Sequence, residues 1–442
     1  MEIKLSDHFT YRRLFRFVLP SIVMMIFTSI YGVVDGFFVS NYAGKIEFAA
    51  VNLIMPFPMM LGAFGFMIGT GGSALVSITL GEGKKKEANE YFSMLIYVTI
   101  GVGLVLTILG ILFTRQIAGF LGAEGEMLEY CVTYGRLLLL ALVPFMLQNV
   151  FQSFLVTAEK PNFGLVITII AGVTNIVLDY VLIGVLEGGI VGAALATAIS
   201  QYIGGVIPLV YFFLPNKSSL RLSKAKFHMR VLWKTCFNGS SELMTNLSLS
   251  LVNMLYNFQL LRFAGEDGVA AYGVIMYVNF IFIAVFLGYA IGTAPIIGYH
   301  YGAGNKEEMQ NVYKKSIRFN IVSGIIMCVL AIALAGVLAK IFVGYDAQLH
   351  KMTQMGFAIY SISFLVMGIN IYGSSFFTAL GNGLVSALIS FLRTLLFQVV
   401  AVLVLPIFFG LNGIWFAIVV AESAALIVTV IFLALYKRKY GY

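Results

Sequence analysis

The sequence predicts an all-α integral membrane protein with twelve transmembrane helices in two six-helix lobes. The first observation is composition. Of the 442 residues, 60% are hydrophobic and only 11% are charged, with a mean hydropathy of +0.94, whereas soluble domains average about 25% charged residues. The second is the recurrence of apolar stretches long enough to cross a hydrocarbon core of about 30 Å. The third is an internal repeat at half the chain length.

Twelve apolar stretches predict the individual spans. Each stretch is continuous, whereas the strands of a membrane barrel would alternate in polarity over about ten residues, so the spans are helices. Several exceed the roughly 20 residues that a straight span needs, which indicates tilt or protrusion. The predicted spans are 14–39, 50–79, 91–114, 130–158, 163–186, 190–214, 232–262, 271–300, 312–342, 352–379, 383–409 and 413–436.

The distribution of positive charge predicts the orientation. Twenty-one of the 28 Lys and Arg lie in the N-terminal tail, the loops after the even-numbered spans and the C-terminal tail. The positive-inside rule then places both termini in the cytoplasm. The basic charge is thus a topology signal, and no nucleic-acid partner is expected because no basic soluble domain exists to bind one. The opposite loops hold only Lys45, Arg115, Arg136, Arg262, Lys340 and Lys351.

The two halves of the chain resemble each other at a shift of 221 residues. Segment 43–55 lies over 264–276 with six of thirteen residues identical, and loop 81–87 lies over loop 302–308. Six spans per half is an even number, so the halves are parallel repeats related by a pseudo-two-fold axis along the membrane normal. Transporters built this way bind substrate between the halves near the midplane. The predicted units are a first lobe at 1–214, a cytoplasmic linker at 215–231 and a second lobe at 232–442.

Asp35 and Asp179 each lie inside a long apolar stretch of the first half. An acid within a span is costly, so it usually faces a cavity or a partner and carries function. Asn175 lies four residues before Asp179 on the same helix face, and Thr197 lies on the next span. Carboxylate, amide and hydroxyl oxygens suit Na⁺, and paired carboxylates can also carry H⁺. The four residues therefore predict a site for a coupling ion, either H⁺ or Na⁺.

The repeat provides an internal comparison for this site. Asp35 aligns with Tyr256 and Asp179 aligns with Val400, so the second half lacks the acids. A purely structural role would be expected in both halves, and the asymmetry favours a specialised site in the first lobe.

A second group of residues predicts where a substrate binds. Glu242 lies in a span rich in small and hydroxyl residues, which is typical of a helix lining water, and its charge would attract a cation. Flexible thioethers and aromatic rings make adaptable sites for flat apolar cations. The expected partners are therefore small organic cations, together with membrane lipids. The candidate substrate-binding residues are Glu242, Met55, Met59, Gln148, Gln152, Met276 and Asn279.

Together these residues resemble the multidrug and toxic compound extrusion (MATE) transporters, in particular the bacterial branch with MepA-type and DinF-type pumps. The resemblance covers nearly the whole chain. It rests on Pro20 and Asp35 in span one and on four segments: TAEKPNF at 157–163, NIVLDYVLIG at 175–184, GAALAT at 192–197 and GAGNKEE at 302–308.

The resemblance implies efflux of organic cations from a bacterial inner membrane, driven by inward Na⁺ or H⁺. It implies an ion site at Asp35, Asn175, Asp179 and Thr197, with no cofactor. Glu242 matches the span-seven glutamate of some members, but span ten carries no acid, which favours coupling through the first lobe. One chain already contains both lobes, so we expect a functional monomer.

Three other functions are weighed against this one. A lipid-linked oligosaccharide flippase of the same superfamily would line its cavity with several basic residues, but the spans hold about one, Arg393. An intramembrane enzyme is not expected, because the four His lie at span ends or in loops and form no metal-binding pair. A channel or receptor is disfavoured, because no selectivity-filter motif is present and the repeat favours a carrier.

Overall fold

The computed structural model describes residues 3–42 and 45–442, and in this part of the chain every regular element is helical. The first lobe contains α1 (Tyr11–Tyr42), α2 (Lys45–Ile54), α3 (Pro56–Gly81), α4 (Lys85–Phe120), α5 (Gly125–Leu140), α6 (Leu142–Thr157), α7 (Pro161–Asp179) with a π-helical turn at Tyr180–Val185, and α8 (Gly189–Phe213). The second lobe contains α9 (Met229–Gly302), α10 (Lys306–Val343), α11 (Ala347–Ser361), α12 (Phe364–Ala379), α13 (Gly383–Phe391) with a π-helical turn at Leu392–Leu396, and α14 (Phe397–Tyr440).

The described helices form the twelve predicted spans. The pairs α5–α6 and α11–α12 are each one span, bent by 54° and 49°. Helix α9 contains two spans joined at Gly265, with φ 63°. The eleventh span consists of α13, the π-helical turn and the start of α14, and Gly410, with φ 55°, joins it to the twelfth. A side chain would strain the backbone at such positive φ values. The structure therefore confirms an all-α membrane fold of two six-span lobes.

The repeat extends to the breaks in the helices. The bend of the fourth span lies at Ala141 and that of the tenth span begins at Ile362, 221 residues later. Gly410 has positive φ, and so does Gly189, its counterpart in the first lobe. The shared register shows that the two lobes have the same backbone plan, although their side chains differ.

The two lobes pack closely on the side of the molecule that carries both termini. A Cβ atom on Gly71 of α3 would lie 2.1 Å from Thr235 O, and one on Gly239 of α9 would lie 1.9 Å from Met67 O. Only glycine permits such an approach of two helix backbones. Nearer the helix ends, a Cβ on Gly302 would lie 2.0 Å from Ile78 O. The space between the lobes is therefore closed on the terminal side.

The linker between the lobes is fastened to the first lobe. The amide of Arg221 donates to Asn89 Oδ1 at 2.6 Å, and the amide of Ser223 donates to Ser93 Oγ at 2.9 Å. Leu220 is buried with the core of the first lobe. The linker thus lies along the terminal-side end of α4, and its contacts there hold it against one lobe.

The segment before α1 contacts both lobes. The amide of Leu5 donates to Glu159 Oε1 at 2.7 Å in the loop between α6 and α7. The amide of Phe9 donates to Glu308 Oε1 at 2.8 Å, and His8 Nδ1 lies 2.6 Å from Glu308 Oε2. Lys315 Nζ donates to the carbonyl of Phe9 at 2.6 Å. Leu5 and Phe9 are buried, so this N-terminal strap is part of the packed structure.

Candidate ion site and central cavity

Four of the predicted site residues lie together inside the first lobe. Thr197 Oγ1 of α8 donates to Asp35 Oδ1 of α1 at 3.4 Å. The carboxyl of Asp35 also interacts with the side chains of Asn175 and Asp179 on α7. Asp179 is the last residue of α7, directly before the π-helical turn. Such turns interrupt the α-helical register and are frequent at functional sites.

This cluster contains more acceptors than donors. Asn175 is 2% exposed and Asp179 is fully buried. Within the described residues, no hydrogen bond reaches Asn175 Oδ1 or either carboxylate oxygen of Asp179. Two facing carboxylates cannot hydrogen-bond each other unless one of them carries a proton. The buried oxygens therefore have the chemistry of a site for a proton or a hard cation.

Two tyrosines complete the surroundings of the acids, and the sequence did not identify either of them. Tyr134 of α5 is fully buried, and its hydroxyl donates to Met55 Sδ at 3.7 Å, while Asp35, Asp179 and Thr197 also act on it electrostatically. Tyr31 lies one turn before Asp35 and interacts with Gln148. The chain has 23 tyrosines, and those that only pack look the same in sequence. In the sequence, the one feature that points to Tyr134 is that it places a hydroxyl group inside the predicted fourth span.

A cavity of about 180 Å³ lies between the lobes. Its lining includes Met25 of α1, Gln152 of α6 and Glu242 of α9. Among the described lining residues, Glu242 and Arg393 are the charged ones. The remaining polar lining is mostly hydroxyl, namely Thr70, Ser73, Ser153, Thr245, Ser374, Ser375, Thr378 and Ser390.

Arg393 is anchored by an acid of the twelfth span. Its Nε lies 2.8 Å from Glu422 Oε1 and 3.0 Å from Glu422 Oε2. Asn370 Nδ2 donates to Glu422 Oε2 at 2.8 Å. The Glu422 side chain is 1% exposed, and that of Arg393 is 12% exposed. The structure thus shows an intramembrane ion pair at the cavity wall, in which Arg393 lines the cavity and Glu422 is buried.

The structure distributes the predicted substrate residues over several places. Glu242 and Gln152 line the central cavity. Met55 and Met59 border a small separate pocket near α6, and Gln148 borders another beside α7. Within the second lobe, Met276 packs against the hydrophobic core and Asn279 is buried. In this conformation the cavity therefore brings together two of the seven candidates.

Comparison with known proteins agrees with the fold and identifies the family. Staphylococcus haemolyticus has a relative named Multidrug export protein MepA, 26% identical over 415 residues, which cover 93% of this chain and 91% of that protein. The Staphylococcus aureus protein of the same name is 24% identical over 414 residues, with 93% and 91% covered.

Solved structures show the same fold. An outward-facing multidrug resistance MATE family transporter of the MOP superfamily superposes with a TM-score of 0.92 at 23% identity, covering 97% of this chain and 96% of the other. A MOP superfamily transporter from Pyrococcus furiosus gives 0.90 at 23% identity, with the same coverage. The MatE family model matches once in each half, at residues 20–181 and 243–404. The chain therefore belongs to the MatE family, the multidrug and toxic compound extrusion transporters.

Proposed function

We propose that this protein is a multidrug exporter that exchanges organic cations for an inward-moving H⁺ or Na⁺. The observation that carries the proposal is the first-lobe cluster, where buried oxygens of Asn175 and Asp179 face Asp35 without donors from the described residues. Such a set of acceptors gains stability from a bound proton or cation. Its placement within one lobe, apart from the central cavity, suits a coupling site that is separate from the substrate.

The mechanism follows from the two-lobe architecture. Parallel-repeat transporters expose a central site alternately to the two sides of the membrane by moving one lobe against the other. Binding of the ion at Asp35 and Asp179 would favour the outward-open, drug-releasing state. Capture of substrate from the cytoplasm or inner leaflet would favour the inverse of that state. An ion can shift this equilibrium only through its different affinities for the two states.

The proposed setting is a bacterial inner membrane with both termini in the cytoplasm. In that orientation the side closed by Gly71 and Gly239 is cytoplasmic, and the conformation described here faces outward. The bacterial relatives named multidrug export proteins support the inner-membrane setting, and the distribution of Lys and Arg supports the orientation. One chain provides both lobes and the cavity, so the proposed functional unit is a monomer.

Glu242 is the proposed counter-ion for the substrate. It lines the central cavity, and its carboxylate makes no ion pair with any described residue. A carboxylate in a poorly solvated cavity attracts organic cations. Gln152 and the hydroxyl groups of the lining can supply additional hydrogen bonds. The assignments of Met55, Met59, Gln148, Met276 and Asn279 as substrate-binding residues stay predictions.

The lipid-linked oligosaccharide flippase is the weaker alternative. Its pyrophosphate would need several basic side chains, and in the described lining of the cavity Arg393 alone is basic. Glu422 already neutralises that charge. The cavity thus has the wrong electrostatics for a substrate of high negative charge.

The proposal is tested with purified protein in proteoliposomes. Ethidium efflux is followed by fluorescence with a Na⁺ gradient or a pH gradient imposed separately, for the wild type and for Asp35→Asn. Asp267→Asn is the matched control, because Asp267 is exposed in the connection within α9. Efflux with one gradient, lost in Asp35→Asn and kept in Asp267→Asn, supports the antiporter and identifies its ion. Wild-type efflux from Asp35→Asn contradicts the coupling site. The absence of efflux with either gradient counts against organic-cation export.

A further inference from the structure

A groove on the terminal side of the molecule lies between the start of α4 and the linker that joins the lobes. It has a volume of about 460 Å³. Its charged lining comes from Lys86 and Glu90 of α4 and from Arg221 and Lys224 of the linker. The groove shares no lining residue with the central cavity and contains no member of the ion site, so it is a separate feature of the fold.

The shape of the groove is fixed by backbone contacts of the linker. The hydroxyl of Tyr97 donates to the carbonyl of Ser223 at 3.1 Å, and the amide of Leu222 donates to the carbonyl of Phe212 at 2.9 Å. Leu222 is buried against the first lobe. Together with the two hydrogen bonds to α4 described above, these contacts hold the linker in place without any of its charged side chains.

The charged side chains of the groove are therefore available for a ligand. With the residues that the structure describes, Lys86, Glu90, Arg221 and Lys224 form no ion pair and no side-chain hydrogen bond. Membrane topology explains why basic residues lie on this side, but it does not require three of them around one concave space. Three basic groups against one acid leave a net charge of +2, and such a concave surface attracts anions.

Helix α4 connects the groove to the surface that faces lipid. Lys86, Glu90, Tyr97, Leu104 and Ile108 follow one another at intervals of four or seven residues, so they share one face of the helix. Tyr97, Leu104 and Ile108 are exposed. Because α4 crosses the membrane, exposed apolar side chains on this face contact acyl chains. A tyrosine at the boundary is typical of the headgroup level, and the groove begins there.

We propose that the groove binds the headgroup of an anionic phospholipid, with an acyl chain lying along the exposed face of α4. Lys86, Arg221 and Lys224 supply charge-assisted donors for the phosphate oxygens. A soluble phosphate would use the groove alone, whereas a lipid also covers the apolar side chains that continue from it. The bound headgroup bridges α4 and the linker, and it adds contacts between charged groups to the backbone contacts that already join them.

The test measures which lipids lie beside α4. Leu104→Trp places a fluorescent reporter about 10 Å of helical rise beyond Tyr97, at the level of an acyl chain. Trp233→Phe removes the exposed tryptophan, and the buried Trp415 stays as a constant background. The purified protein is reconstituted into phosphatidylcholine bilayers that contain increasing amounts of brominated phosphatidylglycerol or brominated phosphatidylcholine. Quenching of the reporter gives the relative affinity of the two lipids for this position.

Two triple variants of the reporter protein separate the groove from the general surface charge. Each removes three exposed basic charges from the terminal side of the molecule. Glycerol phosphate, titrated at constant ionic strength, represents a headgroup without acyl chains. The groove variant is Lys86→Gln with Arg221→Gln and Lys224→Gln, and the control variant is Lys437→Gln with Arg438→Gln and Lys439→Gln.

We expect the reporter to favour phosphatidylglycerol over phosphatidylcholine by roughly fivefold or more, the contribution of one basic residue near an anionic surface. The groove variant should lose this preference and the control variant should keep it. Glycerol phosphate should not displace the lipid. Arg221→Gln alone should lower the preference in the same direction, and it serves if the triple variant does not fold.

Three results would overturn the inference. The first is equal quenching of the reporter by the two brominated lipids in the protein with an intact groove. The second is an equal loss of preference in both triple variants, which would assign the effect to general surface charge. The third is displacement of phosphatidylglycerol by glycerol phosphate, which would assign the groove to a soluble anion. None of these measurements depends on transport, so they are independent of the proposed export function.

Discussion

Tyr256 stacks on Tyr272, with ring centroids 4.9 Å apart and ring planes 6° apart. In the repeat, Tyr256 is the counterpart of Asp35. Both rings are buried, and the Tyr256 hydroxyl finds no partner among the described residues. The second lobe thus fills with packed aromatic rings the place where the first lobe holds an acid. The stack explains physically why one backbone plan yields a polar cluster in one lobe only.

Removing the Tyr134 hydroxyl should weaken the binding of the coupling ion. Tyr134→Phe takes away a hydroxyl that lies beside both acids and interacts with Thr197. We expect the ion concentration for half-maximal transport to rise roughly fivefold, the effect of one hydrogen bond of about 1 kcal/mol. Tyr256→Phe is the matched control, because its hydroxyl is unpartnered within the described chain. Equal ion dependence in Tyr134→Phe and the wild type would contradict this role.

A methyl group at Gly239 should disfavour closure on the terminal side. Gly239→Ala places a Cβ 1.9 Å from Met67 O, which is backbone and cannot move alone. Overpacking costs about 1–3 kcal/mol, so the population of the open state relative to the closed state should rise roughly fivefold or more. Cys236 lies one turn earlier against the first-lobe core and reports the opening.

The readout is the rate at which Cys236 reacts with a maleimide, with Cys131 and Cys328 replaced by Ala. Gly273→Ala is the control, because a Cβ there meets nothing within 4 Å. We expect faster labelling for Gly239→Ala and an unchanged rate for Gly273→Ala. Equal rates in the two variants would rule out steric control by Gly239.

Glu159 should make the stability depend on pH. Burial raises the pKa of this loop carboxyl above its ordinary value of 4.5, although the hydrogen bond from the Leu5 amide opposes the shift. The folded state then holds the proton more tightly than the unfolded state. The ionisation of Glu159 therefore costs stability, with no penalty below pH 4.5 and the full penalty above the raised pKa.

Glu159→Gln keeps an acceptor for the Leu5 amide and removes the charge. We expect a gain in stability of about 0.5 kcal/mol at pH 7, within the range of surface substitutions, which disappears on acidification. Melting temperatures at several pH values measure it. Glu187→Gln is the control, since Glu187 is exposed and, like Glu159, has a positive φ. A gain that persists at low pH would contradict the electrostatic explanation.

Breaking the intramembrane ion pair on one side should be more damaging than removing it entirely. Glu422→Gln leaves Arg393 as an uncompensated buried charge, at a cost of about 3–5 kcal/mol. Adding Arg393→Gln should restore most of the loss. Thermal denaturation in detergent compares the two, with the exposed Glu266→Gln as control. If the single variant is as stable as the double variant, the pair does not stabilise the fold as argued.

The sequence predicted the features that depend on local physics. Membrane spans follow from apolar length, and Asn175 and Asp179 share a helix face because they are four residues apart. The convergence of these residues with Asp35 required helix packing, which the repeat suggested but did not specify.

Other features depend on tertiary contacts that composition does not encode. The bend at Ala141, the placement of Tyr134 and the pairing of Arg393 with Glu422 arise where helices meet. For the same reason Met276, on a helix expected to border the cavity, packs into the second-lobe core instead.

The N-terminal strap has a mechanical consequence. Phe9 is bonded to the second lobe through Glu308, and Asp35 lies in the first lobe. Helix α1 begins at Tyr11 and rises about 36 Å to Asp35, so it links the two lobes over a nearly constant distance. The lobes can separate on the terminal side only if the Phe9–Glu308 hydrogen bond breaks or α1 becomes shorter by bending. Bending of α1 costs the least free energy at Pro20, because proline has no backbone N–H and one helical hydrogen bond is already missing there.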